Sequence, residues 1–425
     1  MSILVYVLNK DGKPLMPTNR HGKIRHLLNQ GLAKVIRKEP FTIKLLYNST
    51  NFTQELTLGV DTGSKFIGTA VSNNDGNIVY ISQVEERDNI KTIMKKRKTA
   101  RSFRRCRKTR NRPCRFSNRK NSKRKGRLPV TIISKTHSHD KEINFIKSIL
   151  PITTTVVEMG TFDPHLMKNP EMNRHWGYQR GLNFGFENTK AKVRYRDNYT
   201  CQCCSKSLKK YPNFKLEVHH IIFRENGGSD EEFNLITLCH DCHVGIHNGT
   251  VKLKYKGKKR GTLKYATQMN VICSQLRKKY PEAIETFGFI TSQNRRDLNL
   301  PKTHFMDAVV ISTGGIMPNF ITNLVYYKKS VPCGYYKLSQ TGRSNKQMNR
   351  GKINGFRRYD KIRYFDKEYF IAANSTTGPP ILMDIFGKEA DFHDQPRGFK
   401  TPRIRLFERI SASTSTIIQP LSLKI

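Results

Sequence analysis

Three carboxylates, widely separated along the chain, occupy positions from which acids can bind metal ions. Asp61 ends the first strand of "LTLGVDTGSKFIGTAV", and Glu158 ends the β-branched run of "TTTVVEMG". Asp307 lies one helical turn after His304 in "THFMDAVVIS". Two strand-end acids and a helical aspartate are the set needed to hold two divalent metal ions, which activate water and stabilise the leaving oxygen of a phosphodiester. His304 then either deprotonates that water or orients a metal ligand.

Two cysteine pairs predict a second metal site. Cys201 and Cys204 form one CxxC pair, and Cys239 and Cys242 form the other. Four thiolates make a closed tetrahedral site, which favours Zn²⁺ in a reducing compartment. Cys203 remains an alternative to Cys204 as a ligand. A zinc ribbon with a purely structural role would account for the cysteines alone.

Polar side chains around these cysteines go beyond what a zinc ribbon requires. The segment "VHHI" puts His219 and His220 on opposite faces of a strand, because successive side chains alternate. Asn234 ends the loop "ENGGSDEEFN". His243 directly follows the last cysteine, and His247 lies one helical turn later. These side chains argue against a purely structural role for the cysteine-containing segment.

The charge of the chain limits the class of partner. The sequence has 77 Lys and Arg against 33 Asp and Glu, a formal net charge of +44. Such an excess destabilises a compact chain unless a polyanion neutralises it, so nucleic acid is the expected partner. A membrane is a poor alternative, because no apolar run has the length of a spanning helix. CxxC pairs and the lack of a signal-peptide pattern predict a reducing, cytoplasmic location.

The basic residues concentrate between Lys95 and Arg127, where eighteen Lys and Arg occur with no acid. Regular spacing of four of them on one helical face favours a nucleic-acid-binding helix over a solvated tail. Further basic residues lie in the loop "TGRSNKQMNRGK", as expected RNA-backbone contacts, and in "GFRRYDKIRYF", as contacts to phosphates or bases or simply as solvated charges. The candidate nucleic-acid-binding residues are Arg97, Arg101, Arg104, Arg105, Lys108, Arg112, Arg343, Lys346, Arg350, Arg357 and Arg358.

Residues 1–55 predict a small α+β unit. Thr18 or Asn19 can cap a helix that Gly31 ends, and strands flank this helix on both sides. The last hundred residues instead predict short strands separated by turn signals, consistent with a small β-barrel.

The acidic segments "LGVDTGSKFIGTAV", "TTVVEMG" and "HFMDAVV" resemble the three split motifs of a RuvC nuclease, which has an RNase H-like fold. The resemblance implies that Asp61, Glu158 and Asp307 bind two Mg²⁺ ions and cut one DNA strand.

The insert resembles the HNH, or ββα-metal, nuclease motif. This resemblance implies that His220 is the general base and that His219 and His243 bind a single Mg²⁺ ion. Asn234 would hold the loop that orients His220, and His247 is a candidate third ligand. His219 stands where the motif often has Asp, so the site is less anionic than usual.

The order of the segments resembles the IscB family of transposon-encoded, RNA-guided nucleases, related to type II CRISPR effectors. "KPLMP" is the motif of that family's first domain, and the arginine-rich run resembles a bridge helix. The resemblance implies a monomeric protein in a ribonucleoprotein with a structured guide RNA. Its target would be double-stranded DNA beside a short flanking motif, with HNH cutting the guide-paired strand and RuvC the displaced strand.

The expected fold class is therefore multidomain α+β, with an RNase H-like α/β core split by the bridge helix and by the inserted HNH domain. The expected domains are 1–55 (PLMP), 56–90 (RuvC part I), 91–127 (bridge helix and basic arm), 128–190 (RuvC part II), 191–255 (HNH with zinc), 256–315 (RuvC part III) and 316–425 (C-terminal β domain). Two alternatives stay open: a guide-free, junction-resolvase-like endonuclease, and a non-catalytic nucleic-acid-binding module.

Overall fold

The computed structural model describes residues 3–105, 127–168, 183–255, 263–331, 354–374, 378–392, 401–412 and 415–423. The chain forms two compact units. The first comprises Met1–Thr161 and Gln268–Ile425, and the second comprises Phe162–Thr267. The predicted insert 191–255 falls in the second unit. That unit also takes in residues 162–190, which the sequence had placed with the core.

The elements up to residue 161 are β1 (Tyr6–Leu8), α1 (His21–Asn29), β2 (Ala33–Arg37), β3 (Thr42–Leu45), β4 (Leu56–Asp61), β5 (Phe66–Asn73), β6 (Asn77–Glu85), α2 (Ile90–Arg105), α3 (Val130–Lys147) and β7 (Thr154–Glu158). The second unit contains α4 (Pro164–Lys168), α5 (Thr189–Arg196), β8 (Leu216–His220), β9 (Leu235–Cys239) and α6 (His240–His247). The remaining elements are α7 (Lys264–Lys279), β10 (Ile284–Thr286), α8 (Gly288–Asp297), α9 (His304–Thr313), β11 (Asn319–Phe320), β12 (Leu324–Ser330), β13 (Lys361–Tyr364), β14 (Lys367–Ala373), β15 (Ile381–Met383), β16 (Glu408–Ser411) and β17 (Thr416–Ser422).

The N-terminal part of the first unit is a three-stranded sheet, in the order β1-β3-β2, covered by α1. As predicted, the helix ends next to Gly31, which adopts a left-handed φ of 68°. The predicted cap was wrong, because the helix begins after Arg20 and has no side-chain cap. Thr18 instead pairs with Val5 as an isolated bridge.

An eight-stranded mixed sheet forms the centre of the first unit. Its order is β10-β7-β4-β5-β6-β12-β17, and β11 also pairs with β6. Apolar side chains of β4 and β5 pack on one face against α3 and α7. Ala70, Ile78 and Ile81 pack on the other face against α9. Helices thus cover both faces of the sheet, whose strands are accordingly apolar on both sides.

The C-terminal part differs from the prediction. Strands β11, β12 and β17 lie within the predicted domain 316–425 but belong to the central sheet. The other four strands pair in the open order β15-β14-β13-β16. Within the described residues they form a sheet with two free edges, so the predicted barrel is not confirmed.

The arginine-rich run begins as the predicted helix, α2, on which Arg97 and Arg101 are exposed. Arg357 and Arg358 are exposed ahead of β13. The other predicted nucleic-acid contacts lie outside the described residues or have side chains that do: Arg104, Arg105, Lys108, Arg112, Arg343, Lys346 and Arg350. Among the helices in the described ranges, none combines the length and the apolar character needed to cross a bilayer.

Candidate active sites

The central sheet brings Asp61 and Glu158 to the same edge. Strands β4 and β7 are parallel, with Val60 opposite Val157, so the two acids that follow are neighbours. Asp307 lies in the first turn of α9. The hydroxyl of Thr303 caps this helix by accepting a hydrogen bond from the Met306 amide at 3.2 Å.

Two glycines let α9 lie against the sheet. A Cβ atom at Gly59 would collide with the backbone of Ala308 and Ser312, and one at Gly68 would collide with the carbonyl of His304. The helix therefore approaches the strands at backbone distance. This close approach sets the first turn of α9 beside the end of β4.

Two cationic side chains hold the carboxylates of this acidic site, which we define as Asp61, Glu158 and Asp307. His304 Nδ1 lies 2.7 Å from Asp61 Oδ2. Arg295 Nε lies 2.8 Å from Asp307 Oδ1. Arg295 was not predicted, because nothing in the sequence around α8 distinguishes it from a surface arginine.

Burial and mutual repulsion shift the pKa values of the acidic site. Burial, followed by the charge of Asp61, raises the pKa of Glu158 to about 7. Burial and Asp61 also raise the pKa of Asp307. The hydrogen bond to Asp61 raises the pKa of His304. The site therefore holds more negative charge than its surroundings stabilise, and its oxygen donors fit Mg²⁺.

The second unit gathers the four predicted cysteines. The four Sγ atoms all lie within 4.8 Å of one another; they belong to Cys201, Cys204, Cys239 and Cys242. Of the two alternatives, Cys204 rather than Cys203 is therefore the candidate ligand. Burial opposes ionisation, but the backbone amides of neighbouring cysteines lower the pKa of Cys201 to about 7. Burial and the adjacent sulfurs raise the pKa of Cys242. Four sulfur donors at this spacing fit Zn²⁺.

A histidine cluster lies in the same unit. His219, on β8, and His243 and His247, on α6, offer ligand nitrogens that all lie within 4.8 Å of one another. His219 is 3% exposed, and its Nε2 is buried without a hydrogen-bond partner among the described residues. Burial and the two neighbouring rings lower the pKa of His219 to about 4. It is therefore neutral and able to donate a lone pair to a metal ion.

The three carboxylates of the acidic site do not form so close a group. Among the described residues, only the cysteines and the histidine cluster bring three or more such ligand atoms within 4.8 Å of one another. The carboxylate oxygens of the acidic site would therefore have to move closer together to bind one metal ion. The contacts of Asp61 with His304 and of Asp307 with Arg295 would compete with it.

Glu217 orients one ring of the histidine cluster and was also missed. Its Oε2 lies 2.8 Å from His243 Nδ1, which leaves His243 Nε2 for a metal ion. Glu217 could have been predicted from strand alternation, because Glu217 and His219 lie two residues apart on one face of β8.

His220 points to the other face and contacts the loop before β9. Its Nε2 lies 2.7 Å from Asp230 Oδ1, and Arg224 Nε donates to the same oxygen at 2.8 Å. Asn234 is buried and bonds across this loop, donating to the carbonyls of Ile222 at 3.0 Å and Ser229 at 2.8 Å. Next to these residues is a cavity of about 380 Å³ lined by both His219 and His220.

Two family models match the chain. The RRXRR protein family matches residues 5–181, which include the Asp61 hairpin, the arginine-rich helix and the Glu158 strand. The HNH endonuclease family matches residues 201–249, which include all four cysteines and the histidine cluster. The chain belongs to the IscB/Cas9-like nucleases. The family resemblance drawn from the sequence motifs is thereby confirmed.

Other similarities of this IscB/Cas9-like chain are partial. Anaredoxin from Nostoc sp. (strain PCC 7120 / SAG 25.82 / UTEX 2576) is 34% identical over 70 residues, 16% of this chain and 86% of that protein. The crystal structure of Streptococcus thermophilus Cas9 in complex with the AGAA PAM aligns at 12% identity and a TM-score of 0.32. That alignment covers 57% of this chain and 32% of the Cas9 chain, so this chain matches about a third of the Cas9 length.

Proposed function

We propose that this chain is an RNA-guided DNA endonuclease that cuts both strands of a duplex with two separate centres. The observation that carries the proposal is the histidine cluster with His220 beside it, inside the segment that matches an HNH endonuclease. The net charge of +44 and the arginine-rich helix supply the affinity for nucleic acid.

In the HNH centre, His220 is the general base that cleaves the guide-paired strand. Asp230 accepts a hydrogen bond from its Nε2–H, which leaves the lone pair of Nδ1 to take a proton from the attacking water. The histidine cluster would hold a divalent ion, which supplies charge stabilisation at the leaving phosphate oxygen. Three nitrogen donors fit a borderline transition-metal ion better than the Mg²⁺ predicted from the sequence, because Mg²⁺ prefers oxygen.

The acidic site would be the RuvC-type centre that cleaves the displaced strand. Asp61, Glu158 and Asp307 would hold the two Mg²⁺ ions, which supply activation of water and neutralisation of phosphate charge. His304 and Arg295 keep the carboxylates of Asp61 and Asp307 oriented while a metal ion is absent.

A structured guide RNA is the proposed partner of the basic residues, including Arg97 and Arg101 on α2. Base pairing would select the DNA, so the protein needs to bind backbone and shape together with a short flanking motif. We further propose a cytoplasmic, monomeric protein within this ribonucleoprotein.

The test is to purify the full chain and sequence any RNA that accompanies it. A duplex matching that RNA should be cut, and treatment with RNase should abolish the cutting. Protein that contains no RNA and still cuts branched DNA would instead indicate the guide-free, resolvase-like endonuclease. Protein that binds DNA without cutting it under any divalent metal would indicate the non-catalytic module.

A further inference from the structure

Two phenylalanines form an exposed stacked pair at the start of α8. The rings of Phe287 and Phe289 are nearly parallel, with 10° between their planes and 6.0 Å between their centroids. Phe289 is 71% exposed and Phe287 is 40% exposed. Ile284 and Ile290 are also exposed beside them. Because burial of such side chains is strongly favourable, four exposed apolar side chains within seven residues indicate a binding surface.

This aromatic pair flanks the residue that touches Glu158. Thr286 lies opposite Glu158 in the pairing of β10 with β7. Gly288 approaches so closely that a Cβ atom there would lie 2.9 Å from Glu158 Oε1. Thr291, one turn further on, is close enough for its hydroxyl to lower the pKa of the same carboxyl. The first turn of α8 therefore contacts the acidic site while its two rings face solvent.

We propose that Phe287 and Phe289 form a base-stacking subsite that holds an unpaired DNA strand at the acidic site. The inference rests on the proposed function of that site. Aromatic rings bind the π-face that all four bases share, so the subsite would tolerate any sequence. The positive charge of the chain attracts the backbone, and the rings then fix the bases next to the phosphate that is cut.

Nucleic acid fits this patch better than an apolar protein partner. A protein-docking surface requires apolar area of any shape, whereas stacking requires flat rings in parallel planes, as these two rings are. A stacked base and an apolar protein partner should respond differently to substitution of Phe289. Leucine preserves most of the apolar area but removes the ring, whereas tryptophan enlarges the ring.

The experiment uses the RNA-free full chain and a single-stranded oligothymidine that carries one 2-aminopurine, whose fluorescence falls on stacking. Wild-type protein at saturation should quench this fluorescence. F287A and F289A should lose most of the quenching and bind about 5- to 150-fold more weakly, the range expected for one stacked base. F289W should restore both properties and F289L should not. F52A, at a phenylalanine that is 92% exposed elsewhere in the same unit, is the matched control and should behave as wild type.

The proposal is overturned if both alanine variants quench as wild type does, or if F289L performs as well as F289W. The second result would identify an apolar docking surface. The readout requires no cleavage, so it is independent of the function proposed for Asp61. If D61A still cuts both strands of a target, that function is lost, while the quenching series still reports whether bases stack here.

Discussion

A histidine can serve as a general base only when one ring nitrogen carries a lone pair towards the substrate. Asp230 meets this requirement for His220, because its carboxylate accepts a hydrogen bond from Nε2–H at 2.7 Å. Arg224 forms an ion pair with Asp230 and keeps it in place. The acid is exposed, so its contribution is to fix the tautomer and ring orientation rather than to stabilise the fold.

We expect D230A to slow cleavage of the guide-paired strand by about 10- to 100-fold, the usual cost of losing such an orienting partner. Cleavage of the other strand and the melting temperature should not change. D230N, which retains an acceptor oxygen, should lie between D230A and wild type. The control is E187A, which removes an exposed acid elsewhere in the same unit. Equal rates for D230A and wild type would contradict this role.

Glu158 provides a test through pH. An unperturbed glutamate has a pKa of 4.5, whereas the folded protein raises the pKa of Glu158 to about 7. Between these values the folded state binds more protons than the unfolded state, so wild-type stability falls as the pH rises through this window. E158Q removes the effect. In buffer without added divalent metal, we compare the melting temperatures of E158Q and wild type. The difference, E158Q minus wild type, should be near zero at pH 4 and rise to a plateau above pH 7. A difference that is independent of pH would contradict the shift.

Sequence reasoning identified the residues that could perform chemistry but not the residues that hold them. Asp61, Glu158 and Asp307 could be selected because each ends a strand or lies on a short apolar helix. Arg295 and Asp230 could not be, because their contacts depend on how α8 and the loop before β9 fold back. Neither residue has a spacing signal, since each pairs with a partner outside its own element.

At the scale of elements, the acidic site depends on how closely α9 approaches β4 and β5. Gly59 and Gly68 have no side chain where the backbone of α9 passes. Strand patterning predicted the hairpin correctly, but it could not show that these two glycines mark the path of a helix some 240 residues later. A glycine within a strand is an ambiguous signal until its neighbour is known.

G59A and G68A should each destabilise the protein by about 2–3 kcal/mol, the upper part of the range for overpacking, because the obstructing atoms are backbone and cannot rotate away. G22A is the matched control. No atom lies within 4 Å of its added Cβ, and it is on a helix, so it should be neutral or slightly stabilising. Urea unfolding monitored by circular dichroism measures all three variants. Wild-type stability in G68A would show that the helix does not pack this closely.

The misplaced C-terminal boundary has a related cause. Strands β12 (LVYYKKS) and β17 (TIIQPLS) are short runs of mixed apolar and polar residues, and such local sequence does not tell which sheet they join. The structure pairs β12 with β6 and with β17, which makes the end of the chain part of the central sheet. Pairing partners so distant in sequence are decided by packing rather than by local pattern.

At the scale of the whole molecule, the chain carries two candidate centres in two separate compact units. Each unit has its own apolar core. The first unit contains the acidic site, and the second contains the four cysteines and the histidine cluster. Sequence order alone predicted this insertion, because the cysteine and histidine motifs lie between the second and third acidic segments. The net charge of +44 predicted a polyanionic partner but not which nucleic acid it is.

Two centres in one chain imply that each can be inactivated without the other. The most direct measurement follows both strands of a matching duplex, each with its own label, during cleavage by wild type, D61A, H220A and the double variant. D61A should still cut the guide-paired strand, H220A should still cut the displaced strand, and the double variant should bind the duplex and cut neither strand. A pre-nicked duplex controls for one cut depending on the other. If either single variant fails to cut the intact strand even of the pre-nicked duplex, the two-centre account is wrong.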